Sequence, residues 1–497
     1  MTTLLHDLRF AWRQMRRSPG FALAAVFTLA LGIAGNVIVF GVIQALILRP
    51  IDVPRPEQVM TLAHTNESYP IFSYPEVRDV RDTLFSAVAA FTVDSFGPEA
   101  NGVNRPVWGF EMSGQYFEAV ALKPFLGRLL QRSDDDHPGA SEAAVLSWPA
   151  WKSDFGADPN IVGKTIRRNR QPYAIIDVTP EGFYGTEKFL QPDIFVPMAN
   201  QGSLNGYNWL ESRHDQNIWS IVRLKDGVNM SQVQAELNTI AARATREFPK
   251  DEEKLTLKLT RPGLVGDFIS GPTRAFLAGV MGLAGIVLLA ACAGGLFAAR
   301  TADRTREIAI RLAIGSSRWR VIRQVLVEAF VISILGGICP CGLAWIALTG
   351  LANWHPPTEY PFKFHMMPQP SLIVMAFLLS ALAGVGFGVM PLWQIFKTDP
   401  NSAIKSGSQP TAGRRWALRD VLLAAQIALC CITVTAAFVS LRGLSKAMTM
   451  NMGINPRHAV VAKFELSQAG YSGDAADHFQ RQLLERVSHL PGVDAAG

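Results

Sequence analysis

TADRTREIAIRLAIG, residues 301–315, is short, charged and flanked on both sides by sequence that water rejects. The run 275–299 before it and the run 329–358 after it contain no Asp, Glu, Lys or Arg. Within the stretch, Thr301 or Asp303 can cap a helix, and Glu307 stands four residues before Arg311, the favourable order for a helical ion pair. Ile308 and Leu312 share a face with Ala309, while Arg304 and Arg311 point elsewhere. Gly315 is a helix stop, and Ser316 or Ser317 starts the next helix. The pattern predicts a charged helix over 301–318 held at a bilayer surface by an apolar segment on each side. Its own caps, apolar stripe and ion pair make it a docking surface rather than a plain basic anchor.

Working outward, 49% of the 497 residues are hydrophobic, and they are concentrated. Uncharged runs cover 18–48, 275–299, 329–358, 364–396 and 421–441. About 20 apolar residues cross a bilayer core, so each run can span. The fold class expected is an α-helical membrane protein of about five transmembrane helices, at 21–48, 273–299, 325–352, 371–396 and 421–441, with a large α/β extracytoplasmic domain over 49–270 between the first two. Arg9, Arg13, Arg16 and Arg17 precede the first span, Arg318, Arg320 and Arg323 precede the third, and Lys397, Lys405, Arg414, Arg415 and Arg419 fill the linker 397–419. Between spans three and four the only basic residue is Lys363. This alternation puts the N-terminus in the cytoplasm. Residues 1–20 read as an amphipathic helix lying on the inner leaflet. The first apolar run is too long for a signal-peptide core, so it is expected to be retained.

The net charge of +6 comes from these juxtamembrane clusters, which argues against nucleic acid as a partner and for the lipid bilayer. All five cysteines, at 292, 339, 341, 430 and 431, lie inside apolar runs, so no disulfide framework is expected outside the membrane. The histidines have no paired-ligand spacing, and no metal or cofactor is expected. No catalytic constellation is visible.

Inside the spans, Ala24, Thr28, Gly32 and Asn36 recur every four residues and form a small ridge for close helix contact. Ser380, Gly384 and Gly388 repeat the pattern in span four, before a kink at Pro391. Asn36 and Gln44 are polar within span one and are expected to bond neighbouring helices. Glu328, at the start of span three, is a functional candidate by depth; its plainer reading is an interfacial residue partnered by Gln324 or Arg323.

In the external region, 143–146, 165–167, 173–178 and 218–224 have strand character, and 149–155 a short helix stopped by Gly156. Ser231 with Gln234 reads as a capping box opening a helix that buries Val233, Leu237, Ile240 and Ala241. Gly163-Lys164-Thr165 imitates a phosphate loop, but position 158 is Asp where a glycine is required. Asp134-Asp135-Asp136 reads as a solvated turn. The tail 442–497 looks like the start of a second external domain, incomplete, with an amphipathic helix carrying Phe479, Leu483, Leu484 and Val487 on its apolar face.

These stretches resemble the MacB/FtsX-like ABC-transporter permeases. Residues 303–315, DRTREIAIRLAIG, are similar to that family's E-R-x-R-E-I-x-I-R-x-A-x-G segment, with Asp303 in place of the usual Glu. Residues 28–55, 162–183 and 391–405 resemble its first span, external core domain and last cytoplasmic exit. The family unit of four spans fits residues 1–405, and the second start after it resembles duplicated, orphan-type permeases, which predicts a chain cut from a longer one. The resemblance implies a cytoplasmic ABC ATPase as partner, docking on Arg304, Arg306, Glu307, Ile308, Arg311 and Gly315 and driving motion of the external domain. No Walker A or LSGGQ-like sequence is present, so the chain itself is not expected to be an enzyme, and ATP is used by the partner. A bacterial inner-membrane location, a second permease unit or homodimer, and a periplasmic partner are further implications. The expected function is a permease of an ABC-type export or mechanotransmission system. The alternatives are a division-type module activating a wall hydrolase and a non-transport receptor or scaffold.

Overall fold

The computed structural model describes residues 19–65, 70–81, 85–96, 98–99, 107–168, 171–205, 208–249, 255–294, 317–354, 362–363, 369–397 and 473–496, with isolated positions elsewhere. The chain divides into two compact units, one of residues 1–45, 274–352 and 366–460, the other of residues 46–273, 353–365 and 461–497.

The first unit is built on apolar helices. Four long ones are described: Pro19–Ile43, continued by a π-helical turn at Gln44–Leu48, then Asp267–Gly294, Arg318–Asn353 and Pro370–Lys397. Among the described residues, Val26–Leu48, Asp267–Leu288 and Ile334–Asn353 are long and apolar enough to cross a membrane, and Pro370–Val385 is a shorter apolar helix. Their outer faces leave Leu23, Phe27, Phe276, Trp345 and Leu382 exposed, a surface suited to lipid and not to water. Arg318, Arg320 and Arg323 open the third of these helices without a break. Arg9, Arg13 and Arg16 are helical and exposed at spacings of four and three, which places them on one helix face. In the region 421–441 the described positions are helical and exposed.

The second unit is organised on one ten-stranded mixed sheet. Its strands are β1 (Val59–His64), β2 (Phe85–Phe96), β3 (Pro98–Glu99), β4 (Val107–Met112), β5 (Ala143–Leu146), β6 (Thr165–Arg168), β7 (Gln171–Val178), β8 (Ile194–Pro197), β9 (Trp219–Leu224) and β10 (Leu257–Thr260). Their order is β10-β1-β9-β2-β4-β8-β5-β7-β6-β3. The β4–β8 and β5–β7 pairs are parallel and the others antiparallel.

Side-chain alternation sorts the strands onto three cores. Ala87, Ala89 and Phe91 of β2, Phe110 of β4, Val145 of β5 and Phe195 of β8 enter one core shared along the sheet. Val88 and Ala90 of β2 enter a second, closed by the helix Met230–Glu247 through Val233, Leu237 and Ile240. Ala144 and Leu146 of β5, with Ile194 and Val196 of β8, enter a third under Trp151 of the helix Trp148–Asp154. Burial on both faces explains why β5 reads as a continuous apolar run.

Two local expectations change. The helix Met230–Glu247 is capped by Asn229, whose side chain accepts from Ser231 N at 2.9 Å, so the helix starts before Ser231 can act as cap. The aspartate triplet is not a solvated turn. Asp134 is buried and takes a bidentate hydrogen-bonded pair from Arg128 at 2.7 and 2.9 Å. Asp135 accepts from Ala199 N at 2.6 Å and Gly114 N at 3.2 Å, and Asp136 alone is exposed. Carboxylates tie loops together wherever backbone N–H groups converge on them. In the tail, the helix Asp474–Ser488 keeps Phe479, Leu483 and Val487 half-buried along one side, with Leu484 and His478 exposed.

Candidate functional site

Arg304, Arg306, Glu307, Ile308, Arg311 and Gly315 lie outside the described residues. Glu328 lies within the helix Arg318–Asn353, and Gly388 within the helix Pro370–Lys397.

The polar residues of the first apolar helix are placed in detail. Asn36 is buried and its Nδ2 donates to Gly32 O at 2.8 Å and to Ala284 O of the second helix at 3.0 Å. Gly32 sits beside that contact: a Cβ there would stand 3.1 Å from Leu288 Cδ1. Gln44 Nε2 donates to Gln369 Oε1 at 2.7 Å, and Gln44 Oε1 accepts from Ser371 Oγ at 2.8 Å. Polar side chains thus lace the first helix to the second and to the start of the fourth. Gly384 is buried in the fourth helix. The sequence reading passed over three glycines of the same kind. A Cβ on Gly41 would meet Leu348 at 2.8 Å, one on Gly336 Leu29 at 3.2 Å, and one on Gly337 Ser380 Oγ at 2.8 Å. Of the three, Gly337 alone faces a small-residue pattern that the sequence displays, at Ser380.

Within the second unit lies another set of residues, which composition and motif did not reveal. Residues 185–190, GTEKFL, run through it. Gly185 has φ +98, and a Cβ there would press on Phe110 at 2.9 Å. Thr186 is buried and its N–H donates to Tyr116 Oη at 3.2 Å, which anchors the segment in the shared core. From this anchor, the next side chains reach three separate connections.

Glu187 is buried, and its Oε2 accepts from Val265 N at 2.7 Å, two residues before the helix Asp267–Gly294 begins. Lys188 reaches the opposite connection, donating from Nζ to Leu46 O at 3.0 Å and to Arg49 O, at the end of the π-helical turn Gln44–Leu48. Lys188 N also donates to Gly263 O at 2.9 Å. Leu190 forms a β-bridge with Phe362, and Lys363 N donates to Phe189 O at 3.1 Å, bringing in the connection between the third and fourth helices.

The charges suit the helix ends. The first helix runs out of its C-terminal end here and the second starts its N-terminal end. A cation belongs on unpaired carbonyls at a C-terminus and an anion on free N–H groups at an N-terminus. Lys188 and Glu187 are placed in that sense.

Burial acts on both groups. It pushes the Glu187 carboxyl up to about 7, against the pull of the Val265 N–H and of Lys188. It pushes the Lys188 ammonium down to about 8, helped by Arg49 and opposed by Glu187. Glu187 therefore holds its proton more tightly in the folded chain than in the unfolded one. The stability it contributes is fully present below the ordinary carboxyl value of 4.5 and is lost as pH rises through about 7. Lys188 has the opposite sense, its contribution being present above 10.5 and lost as pH falls through about 8. In the solubilised chain, melting temperature is expected to fall from pH 5 to 7. Glu187→Gln keeps an acceptor for Val265 N without the titration, and is expected to remove about 2 kcal/mol of that pH dependence. An unchanged slope in the variant would exclude Glu187 as its source.

Comparison with known proteins adds a second line of observation. Residues 22–240 match the MacB-like periplasmic core domain and residues 275–400 the FtsX-like permease C-terminal region. The macrolide export ATP-binding/permease protein MacB of Burkholderia lata is 26% identical over 374 residues, covering 69% of this chain and 49% of that protein. The protein of the same name from Escherichia coli K12 is 24% identical over 310 residues, covering 59% and 42%. The chain spans about half the length of these curated relatives. The periplasmic region of MacB from Actinobacillus actinomycetemcomitans aligns with 44% of this chain and 92% of its own at 19% identity and a TM-score of 0.31, a likeness too loose to carry an argument.

Proposed function

The chain belongs to the MacB/FtsX-like permease family, and from that premise we propose that it acts as the permease of an ABC-type export or mechanotransmission system in a bacterial inner membrane. The matched relatives are named for macrolide export and for ATP binding and permease activity together. We take the ATPase to be a separate cytoplasmic chain; residues 1–497 themselves hold no Walker A or LSGGQ-like sequence. It docks on the charged stretch 301–315, through Arg304, Arg306, Glu307, Ile308, Arg311 and Gly315, with the N-terminus on the same, cytoplasmic side. Its cycle shifts the apolar helices, and the external unit moves in response.

The observation that best supports this reading is the segment 185–190. One rigidly anchored hexapeptide holds the chain leaving the first helix, the chain entering the second and the chain entering the fourth. A displacement of any of those connections is carried into the shared core of the sheet. A tethered receptor domain has no need of three ties at one point.

The test is a pull-down of the membrane-extracted full chain. A cytoplasmic ABC ATPase is expected to co-purify, and Glu307→Lys or Arg311→Glu is expected to weaken that association at least tenfold. Undiminished association in both variants would remove residues 301–315 as the docking surface.

A further inference from the structure

Independently of the ATPase, the external unit carries a cleft of about 190 Å³ whose lining includes Tyr74, Arg78, Arg81, Arg132, Asp135 and His137. Its floor is rigid. Tyr74 and Arg78 lie on the helix Tyr74–Val80, which Ser73 and Glu76 close with a capping box. The Tyr74 ring is flanked by two guanidinium groups, Arg78 at 5.4 Å and Arg81 at 5.3 Å from its centroid. Cation–π contact with a fixed ring holds both guanidinium groups in place.

The charges in this cleft do not cancel pairwise. Arg78 is bound bidentately by Glu211 at 2.6 and 3.1 Å. Asp135 accepts from the N–H groups of Gly114 and Ala199 and from Tyr74 Oη at 3.5 Å, which links it to Arg81. Arg81 donates to Tyr74 Oη at 3.0 Å, yet among the described residues no carboxylate lies within ion-pair distance of it. Its Nε is buried and has no hydrogen-bond acceptor. Arg132 also lines the cleft, exposed and without an ion pair among the described residues, and Asp136 is the remaining carboxylate, exposed at the rim. A buried guanidinium N–H without an acceptor is rare in a folded protein and is relieved by an oxyanion, which the planar fork fits.

We propose that this cleft, with Arg81 and Arg132 as the binding cations, is a site for a small oxyanion group, a phosphate or a carboxylate, presented to the external unit. Sites for drug-sized molecules run from about 300 to 1,000 Å³, so the ligand is a small anion or the anionic end of a larger molecule. The capped helix and the arginine-flanked ring prearrange Arg81, and binding needs only the closing of Arg132 over the anion.

The experiment is calorimetric titration of the detergent-purified full chain with sodium phosphate and, separately, with sodium succinate, each against sodium chloride at equal ionic strength. Saturable binding of one of the two at a single site is expected, and which one binds separates a phosphorylated from a carboxylated ligand. Arg81→Gln and Arg132→Gln are each expected to weaken it at least tenfold. Lys123→Gln, an exposed residue outside the cleft lining, is expected to leave it unchanged. Arg132→Gln keeps the test valid if Arg81→Gln perturbs folding, because Arg132 is exposed. No saturable heat with either anion, or equal heat in both arginine variants, overturns the proposal.

Discussion

Lys188→Met is expected to leave ATP turnover by the proposed partner ATPase within about twofold of the parent while cutting the nucleotide-driven response of the second unit at least tenfold. Methionine keeps most of the length and apolar stem of lysine, so the packing of that stem against Gly263, whose Cβ position lies 3.0 Å from Lys188 Cε, is largely conserved. What disappears is the ammonium that joins Leu46 O and Arg49 O. Two carbonyls at a helix end lose their donor, and the C-terminal dipole loses its cation. Together these weaken the tie by about 2–4 kcal/mol. Glu187 is left buried without its neighbouring positive charge, which raises its proton affinity further. The readout is amide hydrogen exchange at residues 46–53 and 263–266, with and without ATP, in the complex with its ATPase. An ATP-dependent change of parental size in the variant would show that motion does not pass through Lys188.

Asp177→Ala is the substitution expected to cost most in stability, about 3–5 kcal/mol, read as a shift in denaturation midpoint of the solubilised chain. Asp177 is fully buried on β7, and its Oδ1 accepts from Leu126 N at 2.7 Å and Gly127 N at 2.8 Å, with Phe125 N at 3.2 Å. Alanine takes away the one acceptor that these N–H groups share. The loop cannot slide to find another. A Cβ on Gly127 would come within 2.1 Å of Ile176 O, so the loop is already packed against the strand by its backbone. Asp177→Asn retains one acceptor oxygen and is expected to lose about half as much. A cost below about 1 kcal/mol for Asp177→Ala would mean that the loop rearranges around the change.

The parts of this molecule that announce themselves in sequence are those governed by period and by punctuation. The strand at Ala143–Leu146 is an unbroken apolar run, and the helix Trp148–Asp154 ends just before Gly156, at φ +62. The strand β2 was not legible, because burial on both faces replaces the alternation that marks a strand, and its alanines carry no strand preference. The joint at 185–190 was hidden for a different reason. Glu187 and Lys188 are adjacent opposite charges, and in sequence that is the mark of a solvated surface. Their burial depends on helix ends contributed by residues 46–49 and 263–266, about 80 to 140 positions away. The local sign that was available is the glycine at 185 followed by a charged pair leading directly into Phe189 and Leu190. The aspartate triplet misled in the same way: which aspartate is buried is decided by Arg128, Gly114 and Ala199, and not by the run itself.

The three ties at residues 185–190 also bear on how such a protein can be recombined. Consider a graft that exchanges residues 49–270 for the equivalent part of a relative. It would separate Lys188 from Leu46, and Phe189 and Leu190 from Lys363 and Phe362. The unit that the contacts define comprises residues 46–273, 353–365 and 461–497. The exchangeable cassette is therefore discontinuous. Chimeras built on it should retain coupling, and those cut at 49 and 270 should assemble and stay inert.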